Sequence, residues 1–375
     1  EDYDAWGRLG AEGWSWESVL PYFRKLERDL DRTGPLHGAG GPIPVRRPDP
    51  ADASGFVRGV AAAAVEAGVP WRADQNGPWQ DGLFPIALNL DEDWQRVSAA
   101  QGYLTASVRA RPNLSILSQT EVTRILFDRS RAVAVMARGP GGVVRIDADE
   151  VILAAGALRS PALLQRSGVG PGPVVAAFGV QPVAERRGVG ENLLEHPSIG
   201  MAASLPRAAR APDDRHHIPV IERWSSNLPD APSGDMHSAI MARAAWHPVG
   251  ARLGMIFTWV NQSHSRGVVR ALPDGGLDVD FRLLSDPRDR ARLAQGVRRA
   301  AERLSRAAGA GVCGRPFAVM ASARARRFGA PTLRNLAVTG MAGALLDLAG
   351  PMAPGLSERM AGAGVALPDL LNNSA

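Results

Sequence analysis

The chain has 375 residues, 45% of them hydrophobic and 22% charged, which supplies a folded core, leaves room for two domains and excludes a disordered polymer. Its net charge of +5 comes from arginines scattered along the chain, with Lys25 the only lysine; no basic stripe interleaved with aromatics occurs, so nucleic acid is not expected as a partner, and the arginine bias points to a GC-rich bacterial genome. Cys313 stands alone, which excludes a disulfide framework and a cysteine-rich metal site, and without an apolar run of ~18 residues or a charged-then-apolar leader the chain reads as cytoplasmic with no transmembrane segment.

In chain order, residues 2–6 and 14–23 predict a helix, a turn and a second helix, with Trp6, Trp14, Trp16, Tyr22 and Phe23 as core anchors. Ser15 with Glu17 in the first turn suits the second helix start. Residues 36–45 read as a glycine-rich turn entering a short strand, where His37 is expected to cap backbone groups. Residues 56–67 predict an alanine-rich helix stopped by Gly68, with Val57, Val60, Ala61, Ala64 and Val65 on one face. A turn at 74–77 precedes a further helix opening at 96–104. The runs 114–117, 122–127, 132–137 and 143–148 are strand-like and split by glycine and polar turns, which predicts a β-meander.

The stretch 151–170 says most. Val151 to Ala155 predicts a buried strand ended by Gly156, followed by Ser160 and Pro161 as N-cap and first helical residue, Leu163 and Leu164 as the buried face, and Gly168 as the stop. Such a turn leaves amide donors beside a glycine, which suits a phosphate or carboxylate; an ordinary strand-to-helix turn accounts for the same residues. His196 reads either as a proton-transfer residue or as structural. His216, His217 and His237 lack metal-ligand spacing and are expected at the surface or in loops, so no metal site is expected. Residues 255–260 predict a strand whose alternation puts Phe257 and Trp259 on one face, residues 278–289 end a strand and cap a helix at 290–307, and 330–375 read as loosely patterned helix.

The segment Gly156-Ala-Leu-Arg-Ser-Pro-Ala-Leu-Leu-Gln-Arg-Ser-Gly-Val-Gly170 resembles the second signature of the glucose-methanol-choline (GMC) flavoprotein oxidoreductases. Residues 188–196 are similar to the family's Gly-Val-Gly-x-Asn-Leu-x-Asp-His run, with Glu195 in place of the usual Asp, and the opening Asp-Tyr-Asp-x-Trp follows the family too. The resemblance implies a mixed α/β (α+β) fold: a partial FAD-binding Rossmann-like domain with a β-meander, and an antiparallel-sheet substrate domain with helices. The implied division is a helical cap with the start of the substrate sheet at 1–95, part of the FAD domain at 96–198, and the substrate domain at 199–375, the domains being discontinuous.

It also implies FAD as cofactor, with the backbone of Val122 against the adenine and Ala155, Gly156, Ser160 and Asn192 as cofactor-binding residues. Phe257 and Trp259 would line a pocket for flat apolar alcohols if their face is turned to the substrate, and are packing if it is turned to the core. The implied reaction is oxidation of a primary alcohol, aromatic or furanic, to the aldehyde by hydride transfer to the flavin, with O2 or another acceptor reoxidising it. A choline-type or aliphatic alcohol dehydrogenase of the same family and a non-catalytic, partner-binding piece stay open as alternatives. Two family motifs are not found in these residues: a G-x-G-x-x-G between strand and helix, and the His-x-x-Gly-Thr that holds the catalytic base. The chain is therefore expected to be the middle of a longer protein, to hold flavin weakly and to show no turnover by itself, and no catalytic residue is assigned.

Overall fold

A computed structural model describes residues 2–211, 217–319, 327 and 329–349. From the amino end come helices α1 (Asp2–Arg8) and α2 (Trp16–Leu26), strands β1 (Glu27–Asp29) and β2 (Ile43–Val45), helix α3 (Gly55–Glu66), strand β3 (Gly82–Pro85) and two short helices, α4 (Ala99–Tyr103) and α5 (Ala106–Arg109). Strands β4 (Glu121–Asp128), β5 (Arg131–Gly139) and β6 (Gly142–Asp147) lead to α6 (Gly156–Arg166), β7 (Val169–Gly170), α7 (Gly172–Ala176) and β8 (Ala184–Glu185). Then follow β9 (Ser198–Ser204), β10 (Val220–Trp224), β11 (Met236–Met241), β12 (Leu253–Val260), β13 (Val268–Ala271), β14 (Leu277–Asp280), α8 (Pro287–Gly309), β15 (Phe317–Val319) and α9 (Leu333–Leu348).

The chain divides into two compact units, one of residues 1–111, 198–262 and 292 onward, the other of 112–197 and 263–291. The units cut the chain differently from the segments 1–95, 96–198 and 199–375: residues 96–111 join the first unit and 263–291 the second.

The first unit is built on an antiparallel sheet in the order β15-β9-β12-β11-β10-β3. Helix α3 forms where its sequence says it should. Ser54 accepts the Val57 amide as N-cap, and the stripe of Phe56, Val57, Val60, Ala61 and Ala64 is buried while Val65, one step off it, is exposed. With Val297, Ala301 and Leu304 of α8 these side chains close over Met201, Ile240 and Ile256 on one face of the sheet. Burying each of the larger of these side chains, the Phe, Val, Leu, Ile and Met residues, stabilises the fold by about 1.5–3 kcal/mol. The opposite face carries a smaller cluster of Ala202, Leu253, Met255 and Phe317, with Phe257 packed against it. Of the stretch 330–375, α9 is helical as expected and 350–375 lie outside the described residues.

The aromatic anchors near the amino end are not in this core. Trp6, Trp14, Trp16, Tyr22 and Phe23 are exposed, and α1 buries no residue. Trp6, Trp16 and Phe23 pack round Tyr3, with Tyr3–Trp6 and Tyr3–Phe23 ring centroids 5.3 and 5.4 Å apart, and Trp14 packs on Trp6. Rings that satisfy each other edge-on need no place in the main core.

In the second unit β4, β5 and β6 form the expected meander, in that order. Residues 114–117 do not join it, and 151–155 are not a strand. A strand owes its hydrogen bonds to a neighbour. Among the described residues none runs beside 151–155, and Ile152 is 82% exposed.

Candidate functional site

Helix α6 opens at Gly156, not at Pro161, because Gly156 takes φ +78° and turns the chain into the helix five residues early. Ser160 is thus inside the helix, and its Oγ accepts the Ala155 amide at 3.1 Å. Pro161 also falls inside, where its lack of an N–H removes the i+4 partner of the Ala157 carbonyl. The N-cap, Ala155, has no side chain to offer, so the first-turn amides of α6 receive no side-chain cap. Residues 154–157 are exposed, and a Cβ at Gly156 would meet nothing within 4 Å.

The far end of α6 is clamped. Gln165 is fully buried; its Nε2 donates to the carbonyls of Val189 at 3.1 Å and Val269 at 3.0 Å, and its Oε1 accepts the Ala271 amide at 2.8 Å. Ser167 Oγ accepts the Ile125 amide of β4 at 2.8 Å and donates to the Leu163 carbonyl at 2.6 Å. The turn after α6 is pressed so close that a Cβ at Gly190, with φ +85°, would stand 2.2 Å from the Val269 carbonyl oxygen and 2.4 Å from Gln165 Nε2. Asn192 follows with φ +59° and is exposed. Val122 sits at a bulge in β4, 37% exposed. The fold therefore gathers Ala155, Gly156 and Ser160 at the amino end of α6, puts Val122 on the strand beside that helix, and places Asn192 beyond the Gln165 clamp at the other end.

Asp289 anchors the 263–265 turn of the same unit. Its buried carboxylate accepts the amides of His264 at 2.9 Å and Ser265 at 2.7 Å and the hydroxyls of Ser263 at 2.8 Å and Ser265 at 2.5 Å. Burial alone would push the carboxyl up; the donors win and hold it well below the usual carboxylate range.

In the first unit, alternation along β12 sends Ile256 into the helix-covered face and leaves Phe257 and Trp259 half-buried on the other. Trp259 stacks on His237, its register partner in β11, with centroids 5.5 Å apart and planes 14° from parallel, and Phe257 lies 6.1 Å from Trp259. Arg223 Nε donates to His237 Nε2 at 3.3 Å, and its guanidinium lies 3.7 Å over the Trp79 ring. Burial pulls the Arg223 guanidinium below its ordinary value. His237 is thus a buried strand residue, not a loop histidine; the strand 236–241 carries it to the face Trp259 occupies. His217 is exposed as expected, and His216 lies outside the described residues. His196 is exposed too. His37 is buried, and its ring bonds the Asp74 carboxylate through Nε2 instead of capping backbone. Burial pushes the Cys313 thiol up to about 11, which keeps it from acting as a thiolate. A surface cleft of about 270 Å³ lies on the α3 side of the sheet, lined by Val57, Arg58, Ala61 and Trp71, away from the Phe257 and Trp259 face.

Two site residues escaped the sequence reading. Gln165 had a signal, a polar residue among the buried positions Ala162 and Leu163 of α6. His237 had a weaker one, since alternation through Met236 to Met241 puts it opposite Met236, Ser238 and Ile240.

The fold and these motifs define a class. The family described as GMC oxidoreductase matches residues 1–198, and the chain belongs to that family. It is 44% identical over 307 residues to 5-(hydroxymethyl)furfural oxidase of Methylovorus sp. (strain MP688), a match covering 79% of this chain and 56% of that protein. It is 40% identical over 202 residues to an oxygen-dependent choline dehydrogenase of Pseudomonas putida, covering 52% of this chain and 35% of that one. The crystal structure of pyridoxine 4-oxidase from Mesorbium loti superposes with a TM-score of 0.71 at 28% identity, covering 84% of this chain and 64% of that one. The chain thus spans between about a third and just over half of the length of these two curated relatives. No helix among the described residues is long and apolar enough to cross a membrane.

Proposed function

We propose that the chain is part of an FAD-dependent oxidoreductase that converts an aromatic or furanic primary alcohol to the aldehyde, with O2 or another acceptor taking the electrons. The unit of residues 112–197 and 263–291 is read as the flavin side and the unit carrying β12 as the substrate side. One observation carries the reading: the uncapped, glycine-started α6, held in place by Gln165 within the family signature. Exposed amides with no side chain in front of them fit an anionic or carbonyl-bearing part of a flavin nucleotide. Ala155, Gly156 and Ser160 would hold the cofactor there, with Val122 and Asn192 as further contacts. Bound flavin would supply the hydride acceptor; the residues of this chain bind and orient.

On the substrate side Phe257 and Trp259 form an aromatic wall backed by His237 and Arg223. Such a wall suits a flat neutral ring. A guanidinium behind it disfavours a quaternary ammonium, which needs aromatic rings and a nearby carboxylate, so the furanic reading is preferred to the choline one. The single buried Cys313 accords with a reducing, cytoplasmic setting.

Titrating the purified chain with FAD and following flavin fluorescence tests the cofactor side. Because the one G-x-G-x-x-G in these residues, Gly309 to Gly314, leads from a helix into a strand and not from a strand into a helix, weak but saturable binding is expected, reduced further by Gly156→Val; no saturable binding, or equal binding by the variant, counts against the assignment. On the substrate side, 5-hydroxymethylfurfuryl alcohol is expected to quench tryptophan emission of the chain where choline does not, and Trp259→Ala to abolish that difference.

A further inference from the structure

Strand β1 puts Glu27 and Asp29 on one face, two residues apart. The glycine turn then returns His37 to them, fastened by the Asp29 amide donating to the Gly38 carbonyl at 2.8 Å and the Gly41 amide to the Glu27 carbonyl at 2.9 Å. Glycine is needed here, since a Cβ at Gly38 would stand 2.0 Å from the Arg24 carbonyl oxygen. The result is a packed trio: His37 Nδ1 lies 3.1 Å from Asp29 Oδ2 and 3.8 Å from Glu27 Oε2. The His37 and Asp29 side chains are 6% and 0% exposed.

The hydrogen bonds around the trio decide its chemistry. His37 Nε2 is 2.8 Å from Asp74 Oδ2, and Asp74 Oδ1 already accepts from Arg47 at 2.9 Å. A carboxylate can only accept, so Nε2 donates to Asp74, and the other ring nitrogen, Nδ1, faces Asp29 and Glu27. Asp29 Oδ1 takes the amides of Asp31 and Arg32 and the Arg47 guanidinium, at 3.0, 2.8 and 2.9 Å. Asp29 Oδ2 and His37 Nδ1 receive no hydrogen bond at all. A buried ring nitrogen and a buried carboxylate oxygen thus face each other with a third carboxylate oxygen beside them, which is costly unless a proton or a metal ion lies among them. Nitrogen and oxygen ligands about 2.1 Å from a zinc-like ion stand roughly 3.0–3.4 Å apart, close to the 3.1 Å found; Glu27, the most exposed of the three at 12%, closes the remaining gap with a small side-chain turn.

We propose that Glu27, Asp29 and His37 form a binding site for a divalent transition-metal ion of the zinc type, with Asp74 as the outer partner that orients the imidazole. Mixed imidazole and carboxylate donors with no thiolate suit such an ion, and a carboxylate on the far imidazole nitrogen is the usual support of a metal-bound histidine. The ion is structural: it ties β1 to the turn that leads into β2. The site arises from strand register and a turn, so sequence spacing did not announce it.

The test uses the 375-residue protein washed with chelator and titrated with Zn2+ in a calorimeter. One ion per chain is expected, binding at micromolar concentration or tighter, with a reversible rise in Tm of about 5 °C. Glu27→Gln, whose amide oxygen can still accept the Gly38 amide that Glu27 Oε2 holds at 2.9 Å, is expected to lower Zn2+ affinity by at least about tenfold and to leave the metal-free Tm unchanged. Co2+ in place of Zn2+ is expected to give visible d–d absorption that Zn2+ displaces. No saturable binding of Zn2+, or wild-type affinity in a folded Glu27→Gln, overturns the proposal and leaves a buried ion-pair network with a protonated ring. Should that variant not fold, the Co2+ spectrum of the unaltered protein decides, and featureless absorption overturns the site.

Discussion

Gln165 is the side chain on which the second unit turns. Its three hydrogen bonds join α6 to the Gly188 turn and to β13, and all three partners are backbone groups. Gln165→Leu keeps the volume and abandons those partners; each buried group left unpaired costs about 1–3 kcal/mol, so a loss of about 3 kcal/mol or more is expected, read as a lower urea midpoint. Asp289 gives the same unit a pH signature. Its native pKa lies below the unfolded value of about 3.9, so the stability it contributes is complete above that value and is lost as pH falls through the native one. Asp289→Asn is expected to weaken the fold at neutral pH and to flatten its acid limb; identical acid slopes for the two proteins would refute this account.

The elements differ in how far they could be read from the sequence. Helix α3 was legible because its apolar stripe repeats at helical spacing and Gly68 ends it. The meander was legible because turns break three alternating runs. Residues 151–155 misled because apolar content alone does not create a hydrogen-bonding neighbour, and the amino-end aromatics misled because ring density says nothing about what the rings touch. The residues proposed to hold the cofactor near α6 came from a motif, while the Gln165 clamp and the His237–Trp259 stack depend on contacts between residues far apart in sequence. The 188–192 turn is the element most easily tested. Gly190→Ala forces a Cβ onto the Val269 carbonyl at a positive φ, and a loss of about 3 kcal/mol is expected, seen as a fall in Tm together with weaker FAD binding; an unchanged Tm would mean the turn is not pressed against α6.

At the scale of the whole molecule, each unit has its own stabilising centre: the two-helix cover on the six-stranded sheet in one, the Gln165 and Asp289 hydrogen-bond clusters in the other. The division has an optical consequence. All nine tryptophans and all three tyrosines fall within residues 1–111 and 198–262, so the unit read as the flavin side has no intrinsic emission at tryptophan or tyrosine wavelengths. Trp224, 3% exposed and donating to Ser238 Oγ at 3.2 Å, reports the interior of the sheet, whereas Trp6, Trp14 and Trp16 report solvent from the start. A denaturation curve followed by fluorescence therefore watches only one unit, while circular dichroism watches both; where the two curves separate, the gap between them is the unfolding of the dark unit.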